Sequence, residues 1–250
     1  MITTEATRKK LVSFIRTEIR RNGFTRALLG LSGGVDSSLA ARLAQEALGK
    51  SNVLGIFMPY EKKDDDARDI RALVRQLGIR FKTIDIAPMV DAYFKRIPKA
   101  DRIRRGNMMS RQRMAVLYDQ SKEFRGLVLG CGNRTEILLG YFTLFGDGGC
   151  ALNPLATLYK TQVWQLAEAL KLPRSIILRK PSAGLWAGQT DEDELGFAYW
   201  DVDRLLSLMV DKSYSTAQLL GQGFSKEFIE TVKNRIASTE FKRRPPSTPQ

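Results

Sequence analysis

The densest chemistry in this 250-residue chain lies in Gly30-Leu31-Ser32-Gly33-Gly34-Val35-Asp36-Ser37-Ser38. An apolar run, Thr25 to Leu29, precedes it and reads as a buried strand. Leu39, Ala40, Leu43, Ala44, Ala47 and Leu48 follow at helical spacing. A strand, a glycine turn and a helix start aim free backbone N–H groups and the positive end of a helix dipole at one point. Gly33 and Gly34 carry no Cβ to block a phosphate, and Ser32, Ser37 and Ser38 add hydroxyl donors. The spelling excludes two common loops. A Walker A loop needs Lys-Ser/Thr after its last glycine, and a dinucleotide fingerprint needs glycine where Ser32 stands. Asp36 would repel a phosphate unless a cation lay between them. It reads as a Mg²⁺ ligand, since Mg²⁺ takes one or two carboxylates plus phosphate oxygens. The plain alternative is a capping aspartate among turn glycines.

Further constellations lie downstream. Gly130-Cys131-Gly132-Asn133-Arg134-Thr135-Glu136 follows the apolar run Leu127-Val128-Leu129. Glu136 there is either a second Mg²⁺ carboxylate beside Asp36 or a capping-box glutamate three residues after Asn133, and spacing alone favours the cap. Lys160 opens a helix in Tyr159-Lys160-Thr161-Gln162-Val163. A cation opposes the dipole there, so an anion such as phosphate accounts for it. Arg111 and Arg113 lie two apart and face different directions on a helix, one free to meet a ligand and the other to make a structural ion pair. The aromatics and glycines of 140–149 suit either a stacking platform or core filling. Residues 181–196 are glycine-rich and then acidic, and Asp191 to Glu194 read as a helix start.

The elements that must position these residues alternate. Helices are expected over 3–21, 37–48, 64–77 and 107–122, and strands near 25–29, 53–58, 81–86 and 127–129. Asp64-Asp65-Asp66 reads as helix-start chemistry rather than a metal cluster. Residues 95–106 read as a basic loop. After Pro154 the chain reads as mostly helical, and 241–250 as an extended basic, proline-rich tail. Strands alternating with helices imply α/β architecture: a doubly wound, mainly parallel sheet flanked by helices, with a helical C-terminal part. Ligands then sit at the carboxyl ends of the strands. We read residues 1–250 as a single domain.

With 43% hydrophobic residues the chain can bury a sizeable core. No run approaches a membrane span and the start carries no apolar signal segment, so a soluble, cytoplasmic protein without a membrane partner is expected. Two cysteines, Cys131 and Cys150, rule out a disulfide framework or a four-cysteine zinc site. The net charge of +13 fits a nucleic-acid partner, a polyphosphate substrate or a basic solvated surface. The absence of histidine removes the usual general base, leaving carboxylates, Lys/Arg, backbone amides and a hard metal. Phosphoryl-type transfer, which asks for positioning and charge neutralisation, fits that set.

The Ser-Gly-Gly-x-Asp-Ser segment resembles the pyrophosphate loop of the ATP pyrophosphatase superfamily, whose members cleave ATP between the α- and β-phosphates and adenylate a substrate oxygen. Taken with Asn107-x-x-x-Arg111-x-Arg113-Met114, Gly132-Asn133-Arg134-Thr135-Glu136, the Gly140-to-Gly149 segment, Tyr159-to-Val163 and Pro181-Ser182-Ala183-Gly184-Leu185-Trp186, the chain resembles the NAD⁺ synthetases, in motif order, from about residue 25 to 246. The resemblance implies an adenine nucleotide alpha hydrolase-like fold and an ATP- and Mg²⁺-dependent C–N ligase that amidates deamido-NAD⁺ with ammonia through an NAD-adenylate. It implies ATP contacts at Gly30, Leu31, Ser32, Gly33, Gly34, Val35, Asp36, Ser37, Cys131, Lys160 and Ser182. It assigns Mg²⁺ to Asp36 and Glu136, a charge-neutralising role to Lys160, and deamido-NAD⁺ to Arg111, Phe241 and Lys242. It also implies a homodimer with the dinucleotide at the subunit interface.

Three positions depart from the family's usual spelling on the dinucleotide side: Leu144 and Ala151, where many members have Lys and Asp, and Phe241, where many have His. Cys131 stands where many have Thr. The adenylation half is therefore spelled more fully than the acceptor half. Neither cysteine has a histidine to activate it for glutamine hydrolysis, so free ammonia, or ammonia from a separate subunit, is the expected nitrogen source. A tRNA-modifying ATP pyrophosphatase, suggested by the charge and the shared loop, is the alternative; on the resemblance a nucleic-acid partner is not expected. A non-catalytic nucleotide-binding relative is the third reading.

Overall fold

The computed structural model describes residues 3–60, 64–182 and 188–249. Four parallel strands run in the order β3-β2-β1-β4. They are β1 (Ala27–Gly30), β2 (Val53–Phe57), β3 (Arg80–Thr83) and β4 (Leu127–Val128). Leu129 continues β4 only as a single bridge to Leu152. Side chains alternate across the sheet. Ala27, Leu29 and Val53 face a core that includes Ile15, Ile19, Leu39, Leu43 and Leu166. Leu28, Leu54, Ile56 and Val128 face a second core with Val90, Phe94 and Val116. Both faces are covered, as a parallel sheet requires.

Helices α1 (Thr4–Arg21), α2 (Val35–Leu48) and α3 (Asp64–Leu77) come from the first half of the chain. Helices α4 (Ala87–Phe94) and α5 (Arg102–Phe124) cover the second face. The C-terminal half adds α6 (Arg134–Leu139), α7 (Lys160–Ala169), α8 (Arg174–Ile177), α9 (Asp191–Leu195) and α10 (Tyr199–Leu206), followed by a π-helical turn. Helices α11 (Thr216–Gly221) and α12 (Lys226–Ser238) complete it. They pack a third apolar cluster around Tyr199, Val202, Leu205 and Leu206, which Leu139 of α6 joins. Strand order reverses between β1 and β4, and ligands of open α/β sheets bind at such a point.

Two segments differ from the sequence reading. The stretch 95–106 is not a loop throughout, because Asp101 caps a helix that begins five residues earlier than expected. Its carboxylate accepts from the Arg104 N–H at 2.8 Å, and Gly106 is buried within α5. The tail is not extended from 241. Residues Glu240–Arg243 form a 3₁₀ turn in which Arg243 donates to the Leu138 carbonyl at 2.8 Å and the Lys242 ammonium to Gly140 O at 2.8 Å. Cations of the tail thus satisfy carbonyls left open around the end of α6, where basic side chains are favoured.

Candidate active site

The β1–α2 loop is cross-braced by its own hydroxyls. Ser37 Oγ accepts from the Ser32 N–H at 3.3 Å and donates to Gly34 O at 3.2 Å, and Ser32 Oγ accepts from the Gly34 N–H at 3.2 Å. Ser38, read as a further hydroxyl donor toward a ligand, is fully buried and donates to Gly34 O at 2.8 Å, so its hydroxyl braces the loop instead. Leu31 and Val35 pack into the core and also border the cleft, and the Leu31 N–H donates to Ile56 O at 2.8 Å. Gly33 holds φ +81°, which a side chain would strain.

Asp36 lies in the first turn of α2, where its carboxylate caps nothing. Oδ1 accepts from Asn133 Nδ2 at 3.0 Å and Oδ2 from Lys160 Nζ at 2.5 Å. Glu136 does both things its spacing allowed. Oε2 accepts from the Asn133 N–H at 3.1 Å, completing a capping box on α6, while Oε1 lies 4.0 Å from Lys160 Nζ. Lys160, 3% exposed, sits over the rings of Tyr199 and Trp164. The sequence places its cation at the dipole's unfavourable end, and two carboxylates hold it there even without phosphate.

The charges are unbalanced. Burial, and then the Asp36 charge, push the Glu136 carboxyl up to about 8. Burial opposes the Lys160 ammonium, but Asp36 and Glu136 outweigh it and lift it to about 12. Asp191, buried beside them, is also shifted upward, first by burial. Its carboxylate accepts from the Tyr199 hydroxyl at 3.0 Å and the Tyr141 hydroxyl at 3.2 Å. Among the described residues no three His, Cys, Asp or Glu side chains converge on a metal position. Asp36 and Glu136 form a two-carboxylate set with one lysine between them, short of positive charge. That donor set fits Mg²⁺ completed by phosphate oxygens.

Sequence reasoning missed the residue that holds this trio in place. Asp203, 4% exposed on α10, accepts from Thr135 Oγ1 at 2.5 Å and from the Thr161 N–H at 2.8 Å. Thr135 Oγ1 in turn accepts from the Lys160 N–H at 3.0 Å. One carboxylate therefore fixes the first turns of α6 and α7, which carry Glu136 and Lys160. Burial shifts it above the ordinary carboxylate range despite these bonds. The available signal was an aspartate among apolar neighbours in Val202-Asp203-Arg204-Leu205-Leu206.

Asp36, Glu136, Lys160 and Asp191 line one cleft of about 1020 Å³, together with Gly30, Cys131, Ser182 and Lys242. Residues 183–187 of the Pro-Ser-Ala-Gly-Leu-Trp motif lie outside the described residues. Burial pushes the Cys131 thiol up, so it serves as a neutral wall rather than a nucleophile. Of the arginine pair, Arg113 lines the cleft and donates to Met58 O at 3.0 Å. Arg111 is exposed and donates to Leu144 O at 3.3 Å. Phe241 is 63% exposed and lies outside the cleft lining, whereas its neighbour Lys242 turns in. So the structure gathers Asp36, Glu136, Lys160, Cys131, Ser182 and Lys242, and leaves Arg111 and Phe241 on the outer rim.

Comparison with known proteins agrees over the whole chain. The family model described as NAD synthase matches residues 7–246. An NH(3)-dependent NAD(+) synthetase of Trichlorobacter lovleyi is 51% identical over 98% of this chain and 90% of its own. Among solved structures, the NMN synthetase of Francisella tularensis superposes with a TM-score of 0.88 at 31% identity, covering 100% of this chain and 99% of that one. The NH3-dependent NAD synthetase of Campylobacter jejuni subsp. jejuni NCTC 11168, in complex with the nitrate ion, gives 0.84 at 30% identity, covering 100% of both chains. A hydroxyl-braced glycine loop, two carboxylates and a buried lysine, in a chain matched from end to end, make this protein a member of the NAD synthase family.

Proposed function

We propose that this chain is a C–N ligase that amidates deamido-NAD⁺ to NAD⁺ with ammonia, using ATP as co-substrate. The observation that carries the reading is the convergence of Asp36, Glu136 and Lys160 at the mouth of the β1–α2 loop. The nicotinate carboxylate attacks the α-phosphorus of ATP and pyrophosphate leaves. Ammonia then attacks the acyl carbon of the adenylate, and AMP leaves. In the first step the loop from Gly30 to Ser37, braced by its own hydroxyls, holds the leaving phosphates, with Ser182 lining the same pocket. Lys160 offsets charge as it develops, and burial strengthens that attraction. Asp36 and Glu136 would hold Mg²⁺, which when bound supplies charge neutralisation across the phosphates.

Lys242 reaches the cleft from the C-terminal turn and, with Arg111 and Phe241, is assigned to the dinucleotide. The exposed positions of Arg111 and Phe241 support a homodimer in which the acceptor lies at the subunit boundary. Exposed Met89, Tyr93, Ile103 and Tyr118 on α4 and α5 give such a boundary apolar surface. Among the described residues no helix is long and apolar enough to cross a membrane. A cytoplasmic site of action suits an ATP-consuming enzyme with free thiols. Membership of this family disfavours the tRNA-modifying alternative.

One observation favours a second reading of the acceptor. The chain superposes on an NMN synthetase with a TM-score of 0.88, and Leu144 and Ala151 lack the charges usual beside a dinucleotide. A mononucleotide carboxylate would need fewer of those contacts. The test is product identification by mass, supplying ATP, Mg²⁺ and ammonia with either deamido-NAD⁺ or nicotinate mononucleotide as the one organic acid. NAD⁺ formed stoichiometrically with AMP supports the first reading, and turnover of the mononucleotide alone supports the second. AMP release that ignores both acids sinks the ligase assignment.

A further inference from the structure

Arg179 follows α8 and leads into Lys180, Pro181 and Ser182, all lining the cleft. Its Nη1 pairs with Asp66, and its Nη2 with Asp69 at 2.7 Å. Both acids belong to α3, and Asp69 also accepts from Ser175 Oγ at 3.1 Å. A tether between α3 and the chain after α8 would explain that much. It does not explain where the guanidinium lies. A methyl group added at Gly33 would sit 2.9 Å from Arg179 Nη1, so the cation rests directly against the left-handed glycine of the β1–α2 loop. Gly33 was expected to leave room for a phosphate, and the group filling that room is a cation.

We propose that Arg179 is a pyrophosphate-binding residue, held by Asp66 and Asp69 against the loop until the phosphates arrive. This rests on the reading above that the loop holds the ATP phosphates. A guanidinium carries five N–H donors in a fixed fork, and the two ion pairs engage one terminal nitrogen each. Donors therefore remain for an anion without both acids having to let go. Phosphate oxygens match the fork in the same way carboxylates do. Asp65 and Asp66 also line the cleft, and uncompensated they would repel a polyphosphate. Arg179 lies between Asp66 and the loop and offsets part of that negative charge there. Asp66 thus has two opposed effects: it orients the guanidinium and it competes for it.

The experiment is calorimetric titration of R179Q, R179K and D66N with inorganic pyrophosphate and, separately, with AMP, in the same Mg²⁺ buffer. Losing one charge-assisted contact is expected to weaken pyrophosphate binding about tenfold in R179Q, with AMP binding unchanged. R179K should recover part of the loss, because a point charge remains but the fork does not. D66N should bind pyrophosphate more tightly than wild type, since a competing carboxylate is gone. A tether alone gives other results: R179Q losing both ligands together with its thermal midpoint, or D66N binding more weakly. Either overturns the proposal, as does R179Q binding pyrophosphate as wild type does, and all three leave the loop reading intact. A wild-type protein that binds AMP but no pyrophosphate sinks the loop reading and this inference together.

Discussion

At the phosphate end of the cleft, Ser32 and Ser37 brace each other, and Asp36, Asn133, Glu136 and Lys160 are joined by hydrogen bonds and a buried ion pair. At the acceptor end, Lys242 is held by the Gly140 and Phe142 carbonyls at 2.8 and 2.9 Å, while Arg111 and Phe241 stand exposed. One end is finished within a single chain and the other is open. Polyphosphate is common to all ATP-dependent adenylations, so a preorganised seat for it lowers the cost of ordering at each turnover. The acceptor is what distinguishes one such enzyme from another. There the contacts come from a loop, a C-terminal turn and, under the dimer proposal, a second copy.

The widest test of this contrast is to remove the carboxylates. Asp36→Ala and Glu136→Ala are expected to lower turnover by at least about 10²–10³-fold, the scale seen when a transition-state stabiliser is lost. Both variants should stay folded by circular dichroism, because neither side chain belongs to the three apolar clusters. AMP release within a few-fold of wild type in either variant would break the metal assignment.

A more selective effect is expected at the other end. Lys242→Ala and Arg111→Ala should raise the KM for the acceptor by about tenfold, the loss of one charged contact, while the KM for ATP stays put. Burial lowers the Lys242 pKa, so its ammonium is poorly solvated and an anionic acceptor gives it a partner that carbonyls do not. An equal rise in both KM values would erase the division of the cleft into two ends. If Lys242→Ala moves the acceptor KM and Arg111→Ala moves nothing, the outer rim is not part of the site.

The same division decides what could be read in advance. The β1–α2 loop was legible because strand, glycine turn and helix are consecutive in the chain; that its hydroxyls brace the loop was not. Glu136 was legible as two competing roles, since a capping box is local; that its second oxygen faces Lys160 depends on α6 and α7 being tied together through Thr135 and Asp203. Asp203 was not legible, because its partners Thr135 and Thr161 are 68 and 42 residues away and no periodicity links them. The helix from Arg102 was hidden by charge: basic residues with a proline and a glycine resemble a loop, and the capping role of Asp101 went unread. The tail read as extended because the carbonyls that hold Lys242 and Arg243 are contributed about a hundred residues upstream.

A moderate effect on stability should mark the hidden support. Thr135→Val keeps the shape but removes the donor to Asp203 and the acceptor for the Lys160 N–H. Leaving such groups unpaired costs about 1–3 kcal/mol. For a chain of this size that lowers the thermal midpoint by roughly 3–10 °C. Because α6 and α7 carry Glu136 and Lys160, turnover should fall with KM for the acceptor nearly unchanged. An unchanged midpoint would mean that the first turns of these helices are held by packing alone.

The smallest expected effect is a pH dependence at Asp203. Burial holds its carboxyl above the ordinary carboxylate range, so the folded protein keeps that proton to higher pH than the unfolded chain does. The stability tied to the proton is complete below the unfolded value of about 4 and is lost as pH rises through the folded one. Asp203→Asn keeps the shape without titrating, and its missing acceptor costs stability that does not vary with pH. The gap between the wild-type and variant thermal midpoints should therefore narrow as pH is raised from about 4, measured without nucleotide so that ligand binding adds nothing. A gap that widens over the same range would mean that Asp203 is stabilised as a carboxylate by Thr135 and the Thr161 N–H. The supports of the phosphate end would then be charged throughout, and Lys160 would face one more fixed negative group than the burial argument allows.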